Sequence, residues 1–489
     1  MSTTASSTAE GWRFDNSYAR LPAPFHSRVD PTPVPSPRLL VFNRDLALVL
    51  GLDPDRLDQA EAAPLFTGNR PPEGSEPIAQ AYAGHQYGNL TRLGDGRAIL
   101  LGEHLTPSGQ RVDLQLKGPG PTPYSRRGDG RAAVGPMLRE YLISEAMHHL
   151  GIPTTRSLAV ASTGEPVFRE RPLPGAVLTR VAASHIRVGT FELFAALGDR
   201  DSLRTLVDYT LRRHFPDRVD PPNPGLALLE GVCIRQATLI AHWMRVGFVH
   251  GVMNTDNMAL SGETIDYGPC AFLDAYDPGT VFSSIDHQGR YAFGRQPSIA
   301  SWNLARFSEA LLPMIDPNPE SAVEQATGVL EGFAGRFRSE WLRLFRGKIG
   351  LMTEEPEDAV LIEDLLEAMR GAGADFTRTF RGLNPAGTPS ISPSGIPEAW
   401  YTRWRDRLGR QPSTPDEAAA CMARHNPAVI PRNHGVETVL SEASDHGNLS
   451  PFQELLAALR NPYDAPTTPN PLLDPPAPGT PRCRTFCGT

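Results

Sequence analysis

Apolar and polar residues alternate in the first third of the chain, and this alternation predicts β-strands. Val112, Leu114 and Leu116 are separated by polar residues, the period-two pattern of a strand with one packed face. Lys117 follows Leu116 directly, so the same pattern places its side chain on the opposite face. Further short strands are expected at 98–101, 157–161, 166–169 and 176–181. A β-rich region is therefore predicted between about residues 81 and 185.

A helical period replaces this alternation further along the chain. Proline favours the first helical turn, and from Pro136 apolar residues recur at helical spacing through Leu138 and Leu142. Helices are expected at 44–50 and, further along, at 191–197, 201–215, 225–246, 300–312, 321–345, 357–371, 399–408, 417–425 and 451–459. The order of elements predicts an α+β protein in which a β-rich lobe precedes a larger helical lobe.

The length of 489 residues exceeds one ordinary hydrophobic core, so we divide the chain into four regions. Pro-rich residues 1–80 are expected to form an extended segment that wraps around the rest. Residues 81–185 form the β-rich lobe, and residues 186–460 form the helical lobe, which contains the polar loop 249–268. Residues 461–489 form a second Pro-rich segment, the C-terminal tail.

Composition excludes several classes of protein. The net charge of -8 gives no electrostatic footprint for non-specific binding to nucleic acid. No apolar run approaches the roughly 20 residues of a membrane-spanning helix, and the first residues lack the basic and apolar parts of a secretory signal. Five cysteines in this length favour a reducing compartment over a disulfide scaffold. We therefore expect a cytoplasmic protein with neither nucleic-acid nor membrane partners.

Lysine is almost absent from the chain, since 47 basic residues include only Lys117 and Lys348. A lysine in such an arginine-rich background is a candidate for a task that needs a compact ammonium group, such as meeting phosphate oxygens. The alternative is that both lysines occur by chance. Lys348, in an exposed-looking Arg-Gly-Lys sequence, is expected to occur by chance. Lys117 is the better candidate for a function because it ends a predicted strand.

The loop 249–268 contains the strongest candidate chemistry. Met258–Leu260 and Thr264–Ile265 can pair as a hairpin across a three-residue turn that contains glycine. That hairpin would make Asn257 and Asp266 neighbours. Carboxylate and amide oxygens are ligands that Mg²⁺ takes when it also holds phosphates. The alternative is a surface hairpin with Asn and Asp in its turns.

Other segments carry groups that could meet phosphates, each with an ordinary alternative. Gly94 and Gly96, just before Arg97, fit either a glycine loop over phosphates or a hairpin turn. The Gly- and Arg-rich segment 118–131 is either an anion-facing loop or a basic connector.

Two arginines, seven residues apart, lie at the end of the predicted strand 176–181. Arg180 and Arg187 either clamp phosphates or pair with surface acids. A glutamate on the helix that begins at Pro136, Glu140 or Glu145, either pairs with Lys117 or is an ordinary exposed residue. None of these segments decides the function alone.

The order of these parts is more specific than any one of them. A glycine turn, a strand ending in lysine, a helix with glutamate, an Asp-Asn loop and Asp266-Tyr267-Gly268 follow one another as in a protein-kinase nucleotide site. Kinases, however, place their catalytic Asp five residues before the metal-binding Asn. Here that position is Val252, which cannot accept a proton. The protein is then either a silent nucleotide binder or an enzyme that reacts at another phosphate, with Asp256 as the nearest candidate base.

Four motifs of the chain resemble those of a known protein family. They are Gln115–Gly120, Ser125–Arg131, His250–Met258 and Asp266–Cys270. The chain resembles the selenoprotein O (YdiU) family in these motifs and along most of its length from Tyr18. The resemblance implies a two-lobed, protein-kinase-like fold with an αC-like helix and without the usual catalytic Asp. It also implies that ATP binds in a reversed orientation, so that AMP passes to a protein hydroxyl.

The resemblance also implies roles for individual residues. Lys117, held by Glu140, would contact phosphates with the help of Arg180 and Arg187. Asp256 would be the catalytic base. The nucleotide would be lined by Gly94, Gly96, Arg97, Asp129 and Gly130, and the metal ion, Mg²⁺ or Mn²⁺, would be ligated by Asn257 and Asp266.

A redox role for the C-terminal tail is implied in the same way. Some family members carry selenocysteine at the antepenultimate position, which here is Cys487. The resemblance implies that this residue can form a disulfide with Cys270, just after Asp266-Tyr267-Gly268. The competing pair is Cys483 with Cys487, which are close in sequence.

We therefore carry three functional hypotheses. The first is a protein adenylyltransferase that moves AMP from ATP to Ser, Thr or Tyr hydroxyls, releases pyrophosphate, and could also use UTP. The second is a kinase that uses Asp256 for γ-phosphoryl transfer. The third is a catalytically silent ATP-binding scaffold.

Overall fold

The computed structural model describes residues 8–218, 220–385, 395–477, 479–481 and 483–486. The strands are His26–Arg28 (β1), Arg38–Phe42 (β2), Ile78–Gln80 (β3), Ala83–Gln86 (β4), Asn89–Arg92 (β5), Ala98–Leu105 (β6), Arg111–Lys117 (β7), Ala132–Ala133 (β8), Arg156–Phe168 (β9), Pro172–Ala182 (β10), Phe248–Val249 (β11) and Ala271–Phe272 (β12). The helices are Arg44–Leu50 (α1), Pro54–Leu57 (α2), Ala63–Thr67 (α3), Val134–His149 (α4), Val188–Leu197 (α5), Arg200–His214 (α6), Pro224–Val246 (α7), Gln296–Ile315 (α8), Pro319–Lys348 (α9), Asp358–Ala372 (α10), Phe376–Gly382 (α11), Glu398–Arg410 (α12), Pro415–His425 (α13), Asn433–His446 (α14) and Ser450–Ala458 (α15).

An antiparallel sheet forms the β-rich lobe. Its strands follow the order β1-β3-β6-β7-β10-β9-β2, with β8 paired to β10. Strand β7 lies in the middle, where Lys117 has Ala98 of β6 on one side and Leu178 of β10 on the other. Strand pairing therefore fixes the position of Lys117 within the sheet.

Different helices cover the two faces of this sheet. Leu114 and Leu116 of β7 pack with Leu46, Leu50 and Phe66 from the N-terminal helices in one core cluster. On the opposite face α4 packs against β9 and β10. Lys117 points to that second face, as the alternation along β7 predicts.

The N-terminal segment is built into the sheet. Residues 1–80, expected to be extended, supply the three strands β1–β3 and the three short helices α1–α3. Helix α1 has the predicted bounds, because the side chain of Asn43 caps its first turn and Gly51 ends it in the left-handed conformation. Within the described part of this segment, the stretch from residue 29 to residue 37, which contains the four alternating prolines, has no helix or strand, and neither does the stretch 68–77.

Helices make up the second lobe, and α7 is central to it. Helix α7 packs against α6, α8 and α9, and Leu228, Leu229 and Ile240 are fully buried. With 23 residues and a mean hydropathy of 1.2, it is long and apolar enough to cross a membrane by length and composition, contrary to our reading of the sequence. Because 61% of its apolar window is buried inside the protein, the core accounts for this composition.

The predicted hairpin in the loop 249–268 does not form. Ala259 bridges to Arg187 and Thr264 bridges to Thr154, so each segment pairs with a distant part of the chain. The reason is tertiary competition, since Trp243 also holds Thr264 through a 2.8 Å hydrogen bond from Nε1 to Oγ1. The α+β class is confirmed by the sheet and helices, and the protein-kinase-like arrangement stays a prediction.

Lys348 is buried, which corrects the expectation of an exposed residue. Its side chain lies at the end of α9, with Nζ 4.2 Å from the ring centre of Phe380 and 5.1 Å from that of Phe376. No described residue forms a salt bridge with it. Burial and the neighbouring Arg245 lower the pKa of Lys348 well below its usual value.

We expect Lys348→Met to stabilise the protein at neutral pH. The depressed folded-state pKa means that only the unfolded chain binds this proton readily, so wild-type stability rises as the pH approaches 10.5. The gain from Lys348→Met should be about 1–4 kcal/mol at pH 7 and should shrink toward pH 10. Urea unfolding at both pH values measures it. Lys348→Arg, which cannot lose its charge, is the control and should destabilise; a gain that grows with pH would contradict the assignment.

Candidate functional site

A cavity of about 290 Å³ lies between the sheet and the loop 249–268. It is lined by Tyr82, Gln86, Asp95, Gly96, Arg97, Ala98, Lys117, Arg180, Arg187, Val252, Asn254, Asp256, Asn257, Asp266, Gly268 and Pro269. Eight of the residues selected from the sequence are among them. We call this cavity the nucleotide cavity for the function proposed below.

Four charged side chains form a closed ring of alternating sign at the base of the cavity. Lys117 Nζ lies 2.5 Å from Glu140 Oε2 and 2.8 Å from Asp266 Oδ1. Arg180 Nη1 contacts the same two carboxylates, at 3.0 Å and 2.8 Å. Each cation therefore bridges both acids, and the ring joins β7, α4, β10 and the loop that ends at Gly268.

Asp266 contacts more than the two cations of the ring. Arg187 also approaches its Oδ2, at 3.4 Å, so three basic side chains surround one carboxylate. Burial alone would raise the pKa of Asp266, but Lys117, Arg180 and Arg187 lower it well below its usual value. Asp266 stays ionised and holds all three basic side chains at the cavity, an arrangement suited to binding a polyanion.

The backbone at Asp266 is in an unusual conformation. Its φ is 62°, in the left-handed region that residues other than glycine rarely adopt. The neighbouring Tyr267 is buried and its hydroxyl hydrogen-bonds to that of Thr154, while Gly268 N donates to the carbonyl of Asp266 at 2.9 Å. These contacts hold a strained backbone turn that directs the Asp266 carboxylate into the cavity.

Asp256 lies on a short 3₁₀ turn, Thr255–Asn257, opposite this ring. Thr255 Oγ1 donates to Glu192 at 2.5 Å and accepts from the backbone N of His85 at 2.7 Å. Burial raises the pKa of Asp256 to about 6, and its buried Oδ1 has no hydrogen-bond partner. A mostly ionised carboxylate at pH 7 thus lines the cavity, with its unpartnered Oδ1 packed against Gly84.

The strand pair β4–β5 forms the roof above Asp256. It is a separate two-stranded sheet, tied to the helical lobe by Tyr87 N, which donates to Asn254 Oδ1 at 3.1 Å. A Cβ on Gly84 would overlap Asp256 Oδ1, and one on Gly189 of α5 would overlap the carbonyl of Ala83. Two glycines therefore allow the roof to approach α5 and Asp256 closely.

The oxygen atoms in the cavity fit a divalent cation. Asn257 Nδ2 donates to the Val252 carbonyl at 2.9 Å, which leaves its amide oxygen available as a ligand. Asp95 Oδ1, like Asp256 Oδ1, is buried without a hydrogen-bond partner. The described residues contain no group of three or more His, Cys, Asp or Glu side chains that could hold a metal alone. Asn257 and Asp266 therefore suit an ion such as Mg²⁺ that completes its shell with phosphates and water.

Some predicted residues lie outside the cavity. Glu140 is behind its wall, against Lys117. Gly94 has a φ of 113° and packs against Tyr124, so the preceding glycine turn shapes the wall indirectly. Asp129 is exposed and pairs with Arg169 at 2.8 Å, and Gly130 makes a tight turn against Gly120. The structure does not bring Asp129 and Gly130 into the cavity, because the loop that carries them is held by Arg169.

Several cavity residues were missed from the sequence. Asp95 stood between the two predicted glycines and could have been selected for that reason. Asn254 accepts hydrogen bonds from Tyr87 N and, at 2.6 Å, from Tyr291 Oη, and the ring of Tyr82 lies 4.4 Å from the Arg187 guanidinium carbon. These contacts join distant parts of the chain, so no local pattern identifies them.

The two candidates for the redox pair are Cys270 and Cys487. Cys270 is buried, and burial raises the pKa of its thiol to about 12. Cys487 lies outside the described residues. Thr485, two residues before it, donates from Oγ1 to the Pro269 carbonyl at 2.6 Å and bridges to Ser283. The described end of the tail is therefore anchored beside Cys270.

Known proteins resemble this chain over its whole length. A family model described as "Protein adenylyltransferase SelO" matches residues 10–460. Proteins named "Protein nucleotidyltransferase YdiU" are 55% identical in Syntrophotalea carbinolica (100% of this chain and 99% of the relative) and 56% identical in Geobacillus kaustophilus (98% and 99%). A third relative of that name, from Rhizobium rhizogenes, is 56% identical over 97% of each chain.

These matches and the cationic cavity define the class of the protein, which is a protein nucleotidyltransferase. Within that class, the chain belongs to the SelO (YdiU) family. The resemblance inferred from the four motifs is thereby confirmed.

We expect Gly84→Ala to reduce nucleotidyl transfer with little loss of stability. The added methyl group would displace the Asp256 carboxylate, and a displacement of about 1 Å at a reacting group can lower the rate by roughly 100-fold. Transfer assays and thermal unfolding measure the two effects. Gly409→Ala, in open space on α12, is the matched control. Full activity of Gly84→Ala would show that this close approach has no catalytic importance.

Proposed function

We propose that the protein transfers AMP from ATP to Ser, Thr or Tyr hydroxyls of other proteins and releases pyrophosphate. One observation carries the proposal: Asp256 shares a cavity with the three cations around Asp266, while Val252 occupies the position of a kinase base. The printed description of the matching family model, an adenylyltransferase, supports AMP as the transferred group.

Phosphate binding would use the cations that surround Asp266. Lys117, Arg180 and Arg187 already point at the cavity and need only share their donors between Asp266 and phosphate oxygens. A divalent ion, Mg²⁺ or Mn²⁺, held by Asn257 and Asp266 would neutralise charge on the phosphates and on the departing pyrophosphate. The protein's part in this step is to position the triphosphate and to stabilise negative charge.

Proton transfer is assigned to Asp256. As the acceptor oxygen bonds to the α-phosphorus, the bond from that phosphorus to the pyrophosphate oxygen breaks and the hydroxyl proton passes to Asp256. A carboxylate with a pKa of about 6 is mostly ionised at neutral pH and is a stronger base than an ordinary aspartate. Thr255, held by Glu192 and His85, positions this carboxylate.

The experiment that tests this function uses ATP labelled separately at the α- and γ-phosphates, with a protein acceptor. We expect the α-label on protein and the γ-label in pyrophosphate. A γ-label on protein would instead show a kinase, and no label would show a silent binder. α-labelled UTP in a parallel reaction tests whether the donor is restricted to ATP.

Two variants test the assigned residues in the same assay. Asp256→Asn should lower α-transfer by about 10²–10⁴-fold, the usual contribution of a general base, while ATP binding is retained. Asp266→Ala, and removal of divalent ions with EDTA, should abolish transfer. Wild-type rates in Asp256→Asn would remove Asp256 from the mechanism.

Redox control through the C-terminal tail forms part of the proposal. Oxidation of Cys270 and Cys487 to a disulfide, with two electrons and two protons passing to oxidised glutathione, would fasten the tail beside Asp266. The anchoring of Thr485 on Pro269 supports this pairing over Cys483 with Cys487. We propose a cytoplasmic location, where the tail thiols are normally reduced.

Peptide mapping without reductant tests the disulfide. We expect a Cys270–Cys487 link after treatment with oxidised glutathione and a change in transfer rate that dithiothreitol reverses. Cys487→Ser should remove this response and Cys483→Ser, the matched control, should keep it. A Cys483–Cys487 link, or an unchanged rate, would disprove the proposed control.

A further inference from the structure

A second cavity, of about 600 Å³, lies on the helical lobe beside the nucleotide cavity. Its lining includes Tyr87, Ile285, His287, Arg290 and Arg295. The function proposed above does not use it. We call it the acceptor cavity, for the role argued below.

Two arginines contribute positive charge to the acceptor cavity. Neither Arg290 nor Arg295 forms a salt bridge with any residue that the structure describes, and Arg295 is exposed. Arg290 lies 4.7 Å from the ring centre of Trp302, and its Nε has no hydrogen-bond partner. The nearby Asp286 is buried and accepts from the backbone N atoms of Arg290 and Tyr291, at 2.9 Å and 2.8 Å. Asp286 also lines the acceptor cavity, but each of its two oxygens already accepts a backbone hydrogen bond within the loop.

The acceptor cavity carries two arginines although the protein as a whole is acidic. The net charge is -8, and most arginines in the described residues pair with acids. Exposed apolar surface borders these two arginines, since Ile285 is 55% and Tyr87 36% exposed. A cationic site with an apolar edge suits an acidic peptide segment better than a nucleic acid, which would need a wider basic surface.

The acceptor cavity connects to the nucleotide cavity through Asn254. Asn254 lines the nucleotide cavity, and its Oδ1 accepts from Tyr87 N and from Tyr291 Oη. The rings of Tyr87 and Tyr291 pack edge to face with centres 5.3 Å apart. Tyr87 lines the acceptor cavity, and both tyrosines bond to Asn254, which lies two residues before Asp256 in the chain. A peptide seated beside Tyr87 would have its hydroxyl near the base.

We propose that the acceptor cavity binds the protein substrate and selects a hydroxyl residue flanked by Asp or Glu. The acidic side chains would pair with Arg290 and Arg295, and an apolar neighbour would pack on Ile285. This inference rests on the proposed function, because it specifies which protein segments reach Asp256. Complementary charge at such a rim raises specificity and association rate more than affinity.

Peptide binding to the full-length protein tests the proposal without requiring catalysis. The probes are fluorescein-labelled peptides with one central serine, flanked by glutamates, by glutamines or by arginines, and the measurement is fluorescence anisotropy. We expect the glutamate peptide to bind about tenfold more tightly than the glutamine peptide, as two exposed ion pairs allow. The preference should weaken with added salt.

Charge reversal provides the discriminating variant. Arg290→Glu combined with Arg295→Glu should remove the preference for the glutamate peptide and favour the arginine peptide. Arg424→Glu is the matched control, because Arg424 is an exposed arginine on α13 without a salt bridge to described residues. The affinity for ATP should not change in either variant.

Three results would overturn the proposal. They are equal binding of the glutamate and glutamine peptides to the wild type, an unchanged preference in the double variant, and tighter binding of an oligonucleotide of the same charge. Failure of the proposed function is a separate result, since it would appear as absent α-label transfer. If the glutamate peptide binds but no α-label is transferred, the acceptor cavity remains a binding site for acidic peptides and the proposed adenylylation is rejected.

Discussion

The ring of alternating charges formed by Lys117, Glu140, Arg180 and Asp266 is the constraint on which the rest of the structure depends. Charges removed from water are costly unless each is paired and hydrogen-bonded. Three members of the ring are almost fully buried, and only Asp266 retains partial access to the cavity. The ring therefore fixes the relative positions of a strand, a helix, a second strand and a loop. The same contacts that satisfy the buried charges keep the cations available to a bound anion.

A second buried network supports the first from behind. Arg213 of α6 contacts Asp113 at 2.8 Å and also pairs with Glu103 of β6. Asp113 in turn accepts from the backbone N of His185 at 2.8 Å, and burial lowers the pKa of that histidine to about 4. Because His185 is two residues before Arg187, this network sets the path of the segment that carries the third cation.

The sequence was informative wherever local periodicity decided the structure. The alternation in β7 placed Lys117 on the correct face, and the helical spacing after Pro136 located α4. Tertiary contacts decided the failures. Helix α14 was missed because its beginning is polar, yet Asn433 there bonds to both the backbone N and O of Phe272. Asp129 was assigned to the site by resemblance, whereas a local ion pair holds it at the surface.

The separate β4–β5 sheet has a consequence for how the lobes can move. Its contacts run to Thr255, Asn254 and Gly189 of α5, so it moves with the helical lobe, although in sequence it lies between β3 and β6 of the main sheet. Lys117 and Arg180 belong to the other body. A hinge motion between the two bodies would thus leave Asp256 in place under β4–β5 and change only the contacts of Lys117 and Arg180 with the phosphates. Release of pyrophosphate could then occur without disturbing the alignment of the attacking hydroxyl.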